Sequence, residues 1–179
     1  MAVRLPAPPL RPFRPADADA IVRHADDREV WRFLRDRFPH PYTPGDAEAW
    51  IAFTSVQDPP LHFAIDHEGE AVGGIGIIPG TDVDRVSAEV GYWLGRAFWG
   101  RGLATRALES LTAYAFGTFD FTRLFATPFA FNAASIRVLE KAGWRREGVF
   151  RMAVVKEGRI GDRLVYARTR PEPGGRSGF

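Results

Sequence analysis

The 179-residue chain contains no cysteine, which excludes disulfides, thiolate metal sites and a cysteine nucleophile together. Its four histidines, His24, His40, His62 and His67, are scattered, and none stands four residues from another as a zinc-binding helix requires, so no metal site is expected. No run of about 18 apolar residues occurs, so no segment reads as a membrane span. The opening MAVRLPAPPL lacks the apolar stretch of a signal peptide and is broken by prolines. It reads as a flexible leader over residues 1–9 of a cytoplasmic protein that engages no membrane. Lysine is nearly missing: only Lys141 and Lys156 occur, and arginine supplies the remaining basic charge. Acids are interleaved with those arginines to leave a net charge of +2, the pattern of a mixed solvated surface and not the concentrated basic patch of a nucleic-acid binder.

What is present is enough for a core. Apolar residues make up 45% of the chain, and the length suits one domain, expected over 10–170 with a flexible tail over 171–179. LRPF (Leu10–Phe13) reads as a short strand, and Asp17 as the cap of a helix carrying Ala20, Ile21 and His24. A second helical piece is expected over Glu29–Arg37, then a proline-broken loop, RFPHPYTPGD. Asp46–Val56 reads as a helix with Ala49, Trp50 and Phe53 on one side. A three-strand meander follows at Leu61–Asp66, Ala71–Pro79 and Ser87–Gly95. In the last of these, alternation sets Glu89, Gly91 and Trp93 on one face and Val90, Tyr92 and Leu94 on the other. A long helix is expected from about Arg101 to Phe116, striped by Leu103, Ala104, Ala107, Leu108, Leu111 and Ala115. Then come a strand, Arg123–Phe129, a helix opened by Asn132 and closed by Gly143, and a hairpin turning near Gly158. The long helix is a crossover, so the strands it joins are expected to run parallel.

The turn FWGRGLATRAL raises the functional question. The first N–H groups of a helix have no intrahelical acceptor and lie at the positive end of its dipole. Gly100 and Gly102 leave room for a ligand to approach that backbone, and Arg96, Arg101 and Arg106 add positive charge, so the turn suits an anion such as phosphate. It is also what a plain tight connection looks like. It lacks the lysine and hydroxyl of a P-loop, and Thr105 stands where a dinucleotide fingerprint needs its third glycine.

NAASIRVLEKAGW (Asn132–Trp144), taken with AEVGYWLGRAFWGRGLATRAL, resembles the GNAT acetyltransferases, most nearly their ribosomal-protein N-terminal branch. The likeness runs from RPFRPADADA to DRLVYA, specific in those two blocks and loose before Ala71. It implies an α+β (mixed α/β) fold: a twisted, mostly antiparallel sheet of about seven strands with one parallel splayed pair, flanked by helices. It implies acetyl-CoA as co-substrate, its pyrophosphate held by the main chain of Trp99, Gly100, Arg101, Gly102, Leu103, Ala104 and Thr105. The family's Gln or Arg is replaced by Trp99, a departure of little weight where the contact is main-chain. The pantetheine arm is expected between the splayed strands, paired with backbone groups at Trp93 and Leu94 and met by Asn132, which is also a good helix cap. Trp93, Trp99 and Trp144 read equally well as core or wall.

The implied reaction is direct attack of a primary amine on the thioester. An α-amino group with a pKa of about 8 is roughly one-tenth neutral at pH 7, whereas a lysine needs about 3 kcal/mol more. A carboxylate acting through water suffices for the former. Glu89 is the candidate, since it precedes the splay on the face of Gly91; its plainer reading is a strand carboxylate paired with an arginine. The tyrosine that many relatives use to protonate the departing thiolate is replaced by Leu139, leaving Ser135, water or no donor at all in its place. The acceptor pocket is expected from the RFPHPYT loop and the last hairpin, with His40, Tyr42 and Asp162 as substrate residues. The acceptor is a peptide N-terminus or a small amine, and the protein a monomer or homodimer. Transfer of another acyl group such as succinyl, and a non-catalytic acyl-CoA-binding module, are the competing readings.

Overall fold

Strand alternation and helical spacing sort the chain onto the two sides of one sheet. A computed structural model describes residues 5–170; the expected tail, and the first four residues of the expected leader, lie outside them. The elements are β1 (Leu10–Arg11), α1 (Ala18–Ala25), α2 (Arg28–Trp31), α3 (Pro44–Ser55), β2 (His62–His67), β3 (Glu70–Pro79), β4 (Ser87–Leu94), α4 (Leu103–Thr118), β5 (Arg123–Ala126), α5 (Ala133–Lys141), β6 (Arg145–Lys156) and β7 (Arg159–Thr169). The seven strands lie in the order β1-β2-β3-β4-β5-β7-β6, antiparallel throughout except for β4 and β5, which α4 joins as a crossover. The fold expected from the sequence is the one observed.

One face of the sheet packs on α4 and α5. The α4 stripe of Leu103, Ala107, Leu108, Leu111 and Ala115 is buried against Phe63, Ile65, Ile77, Val90 and Leu124. Each fully buried leucine there contributes about 1.5–3 kcal/mol. The opposite face carries a smaller core, in which Ile21 and Ala25 of α1 and Ala47 and Ile51 of α3 meet Phe13, Tyr42, Ala64 and Ala71.

Four features differ from the sequence reading. Residues 6–9 are tied down: Pro6 is buried, the Ala7 carbonyl accepts the Ser110 hydroxyl at 2.5 Å, and the Pro9 carbonyl accepts the Asp66 N–H at 2.8 Å. The helix expected over Glu29–Arg37 stops at Trp31, and beyond it Arg35 and Asp36 pair with Glu89 and Lys156 on other elements. The buried face of α3 is Ala47, Ile51 and Thr54, while Ala49 is exposed and Trp50 and Phe53 gather around the His62 ring at 5.0 and 5.7 Å. This helix is apolar on two sides, so spacing alone does not choose between them. Finally, β5 ends at Ala126 and not at Phe129; Pro128 has no N–H for the ladder, and Phe129 returns only as an isolated bridge to Arg163.

Candidate active site

The parallel ladder is short. β4 and β5 pair at Ser87–Arg123, Ala88–Leu124 and Glu89–Phe125, and beyond Glu89 no further pairs form. Gly91, just past the last pair, is exposed, and a Cβ there would meet nothing within 4 Å. The register fixes which main-chain groups face this gap. Gly80 N–H donates to Ser87 C=O at 2.9 Å and Gly95 N–H to Val72 C=O at 2.8 Å, so odd-numbered residues of β4 are bonded to β3. The even-numbered groups, Tyr92 and Leu94 among them, point toward β5. Trp93, expected to offer its backbone to the gap, instead pairs with Gly74, and its indole packs in the smaller core 5.8 Å from Phe38. The Leu94 carbonyl is already taken by the Trp99 indole N–H at 2.7 Å.

At the end of the gap the chain turns into α4. Gly100 and Gly102 have φ of 77° and 73°, a left-handed region that L side chains rarely adopt. Gly102 serves as the N-cap of α4. A Cβ at either glycine would point into open space, so conformation and not crowding requires glycine. Arg106 N–H is the first to bond back, to Gly102 C=O at 3.1 Å; the N–H groups of Gly100, Arg101, Gly102, Leu103, Ala104 and Thr105 have no main-chain acceptor among the described residues. Leu103 buries its side chain in the large core while its amide stays at the mouth. Arg96, Arg101 and Arg106 are all exposed around this row. Trp99, 39% exposed, meets Phe33 at 6.3 Å, and Phe33 meets Phe131 at 5.9 Å, so an aromatic wall spans the mouth from the α4 turn to the approach of α5. Asn132 caps α5 through a bond from Ser135 N–H at 3.0 Å.

Alternation on β4 then separates two polar groups. Glu89 lies on the face of the smaller core. Its carboxylate accepts from the Thr127 hydroxyl at 2.8 Å and from the Arg35 guanidinium. The arginine pairing that the sequence left open is therefore present, and its partner comes from the loop after α2. Tyr92 lies on the opposite face, with its phenol 2.8 Å from the Ser135 hydroxyl. Burial raises the Tyr92 pKa, which keeps the phenol protonated. Leu139 is fully buried in the large core, so α5 supplies no proton donor from that position. Tyr92, Arg35 and Thr127 were not singled out in the sequence; the phenol was legible as an even-numbered residue of a splayed strand, whereas Arg35 carries no local signal.

The structure places the three expected acceptor residues as follows. Tyr42 is 7% exposed in the smaller core, and burial pushes its pKa up to about 12. His40 stacks on Trp31 at 5.5 Å and stands 3.4 Å from Asp26. The Asp162 carboxylate accepts the Met152 N–H at 2.8 Å, holding an irregular stretch of β6 where Met152 has a φ of 50°. None of the three lines the cavity of about 250 Å³ beside the Glu89 pair, whose wall includes Arg35, Asp36, Phe129, Val154, Lys156 and Arg163. A second cavity, of about 480 Å³, includes Glu89 but lies toward Ser87 and Arg123, where the strands are still paired. No group of His, Asp or Glu among the described residues is arranged to hold a metal ion, and no helix among them is long and apolar enough to cross a membrane.

These features can be set beside known proteins. Residues 9–145 match the family model described as an acetyltransferase (GNAT) domain. An uncharacterized N-acetyltransferase, p20, of Bacillus licheniformis is 28% identical over 93% of this chain and 94% of its own length. RimJ of Mycobacterium smegmatis, solved in complex with CoA-disulfide, is 26% identical and superposes with a TM-score of 0.76 over 89% of this chain and 80% of its own. RimL, a ribosomal L7/L12 alpha-N-protein acetyltransferase solved with coenzyme A, is 20% identical and shares the fold with a TM-score of 0.77 over 89% of this chain and 92% of its own. A parallel pair that parts after three rungs, an open row of amides at the α4 turn and a family match across most of the chain lead to one conclusion: this chain belongs to the GNAT family and is an N-acetyltransferase.

Proposed function

We propose that the chain moves an acetyl group from acetyl-CoA directly to a primary amine, on a protein N-terminus or a small molecule. The observation that carries this reading is the division of labour across β4 at the point of divergence. Glu89 faces one side of the strand, the Ser135–Tyr92 pair the other, and the gap between β4 and β5 runs from them to the free amides of residues 100–105. Those amides, at a helix N-terminus among exposed arginines, fit a diphosphate. Acetyl-CoA supplies an activated acyl group as a thioester. Clamping it along the gap turns the encounter with the amine into an oriented one. Tyr92 N–H, on the gap side of β4, is the donor for charge building on the acyl oxygen. Glu89 accepts the ammonium proton through a water and hands it to solvent. Ser135 donates a hydrogen bond to the departing thiolate, held in place by the Tyr92 phenol within hydrogen-bond distance, and the thiolate takes its proton from solvent. Leu139, where other members carry tyrosine, leaves this task to β4 and α5 together.

Thiol release from acetyl-CoA, measured against peptides of differing first residue and small amines, with product mass recorded, tests the reading. Glu89→Gln is expected to lower kcat/KM by about 100-fold, the scale of a lost general base. Ser135→Ala is expected to lower kcat by about tenfold with acetyl-CoA affinity retained. Acetyl-CoA binding with no turnover of any amine would replace this reading with that of a binding module.

A further inference from the structure

The cavity beside Glu89 opens where the strands have parted, since Phe129 follows β5 and Arg35 is shared between the cavity wall and the Glu89 pair. Its charge is unbalanced. Lys156 is buried, bonds Asp36 at 2.7 Å and sits 3.5 Å from the centre of the Trp31 ring. Arg35 has Glu89. Arg163 has no carboxylate partner among the described residues, and its Nε is buried with no hydrogen-bond acceptor. Its surroundings are the Phe129 ring, 6.0 Å away, and the like charge of Arg35. Burial first, and then Arg35, pulls its pKa below the usual arginine value, with Glu89 opposing. The guanidinium is half-buried, and a buried Nε–H with no acceptor is costly unless something accepts from it. The planar fork of arginine matches a carboxylate, and two arginines on one small cavity make a site for one.

Resting on the transferase reading above, we propose that the amine acceptor bears a carboxylate, which docks on Arg163 and Arg35 while its amine meets Glu89. The carboxylate competes with Glu89 for Arg35, so acceptor binding loosens the pair that holds the base. The same cavity disfavours polyamines, whose charges repel Arg35, Lys156 and Arg163. A free amino acid and a peptide with an acidic first residue both present this chemistry.

The experiment compares matched pairs with acetyl-CoA: L-alanine against L-alaninamide, and an Asp-led peptide against its Asn-led counterpart, with spermidine as the polycation. The amide's amine is the easier to deprotonate, so a preference for the acid cannot come from amine basicity. In at least one pair the acid form is expected to have kcat/KM at least tenfold higher, carried by KM, and that KM rises with salt. The pair with the larger ratio identifies the source. Arg163→Met, assayed as protein that still binds acetyl-CoA, is expected to reduce the ratio at least tenfold, and Arg163→Lys to keep part of it. The salt dependence of the unaltered protein stands even if neither variant folds. Equal or better use of the amides or of spermidine overturns this inference and leaves the transferase reading standing. No transfer to any amine overturns both.

Discussion

The two faces of β4 are built in different ways. On the α4–α5 face, the groups proposed to hold the donor are backbone and local: a glycine turn, the first turn of one helix, and the cap of another follow each other within Gly95–Ser135. On the α1–α3 face, the charged groups around Glu89 come from far apart in the chain. Arg35 lies 54 residues from Glu89, Thr127 lies 38 residues away, and Lys156 reaches Asp36 across 120. The contrast fits what each side is proposed to recognise. A diphosphate is the same in every donor molecule, so a main-chain cradle with a fixed turn serves it. An acceptor differs from one enzyme to the next, and exchangeable side chains on loops and a hairpin set it.

The largest expected effect isolates the donor side. Gly102→Asp keeps a residue that tolerates positive φ better than most, and its Cβ meets open space. It adds an anion where a diphosphate is to lie. Acetyl-CoA affinity measured by calorimetry is expected to fall by at least 100-fold, about 2.7 kcal/mol, while the thermal transition drops only as far as the ~1–2 kcal/mol strain of a side chain at positive φ requires. Micromolar binding by this variant would remove the cradle from the account.

The same contrast explains what was legible in the sequence. The element order, the parallel crossover and the amide row at Gly100–Thr105 follow from period, turn chemistry and two recognisable blocks. His40 and Tyr42 sat in a loop of the right neighbourhood, yet Arg35 and Asp36 from the same connection reach the cavity, because Tyr42 is drawn into the smaller core by its ring. Asp162 was on the right strand but is used by β6. Arg163, the next residue, points to the cavity wall, as alternation on a strand demands once the face is known. Nothing in a single sequence states that face. Main-chain direction alternates as well, which is why the Trp93 backbone pairs with Gly74 while its neighbours face the gap.

The next effect tests whether the acceptor side moves independently. Gly76 has ordinary φ, but a Cβ there would lie 2.1 Å from the His62 ring and needs the ring to shift. His62 is wedged against Trp50 and Phe53, so the shift disturbs α3. Gly76→Ala is expected to destabilise by about 2–3 kcal/mol, read from urea unfolding. If the two faces are separable, acceptor KM rises while acetyl-CoA affinity holds. Equal losses on both would mean that the sheet transmits the strain and the division is one of chemistry alone.

The smallest effect enters through the same ring. Burial, and secondarily the charge of Arg37, lowers the His62 pKa from 6.5 to about 4. Above pH 6.5 the imidazole is neutral both folded and unfolded, and its contribution is fully present. As pH falls from 6.5 toward 4, the unfolded chain takes up a proton that the folded one refuses, and stability is lost through that window. With the partial exposure of the ring discounted, the loss is about 2 kcal/mol. Carboxylates titrate at the lower end of the same range, so the measurement is a difference: melting temperature from pH 7 to 4.5 for the unaltered protein and for His62→Gln. The steeper fall belongs to the protein that retains histidine. Parallel curves would mean that the His62 pocket admits the charged ring, and that the smaller core yields to a proton more readily than its packing against α3 implies.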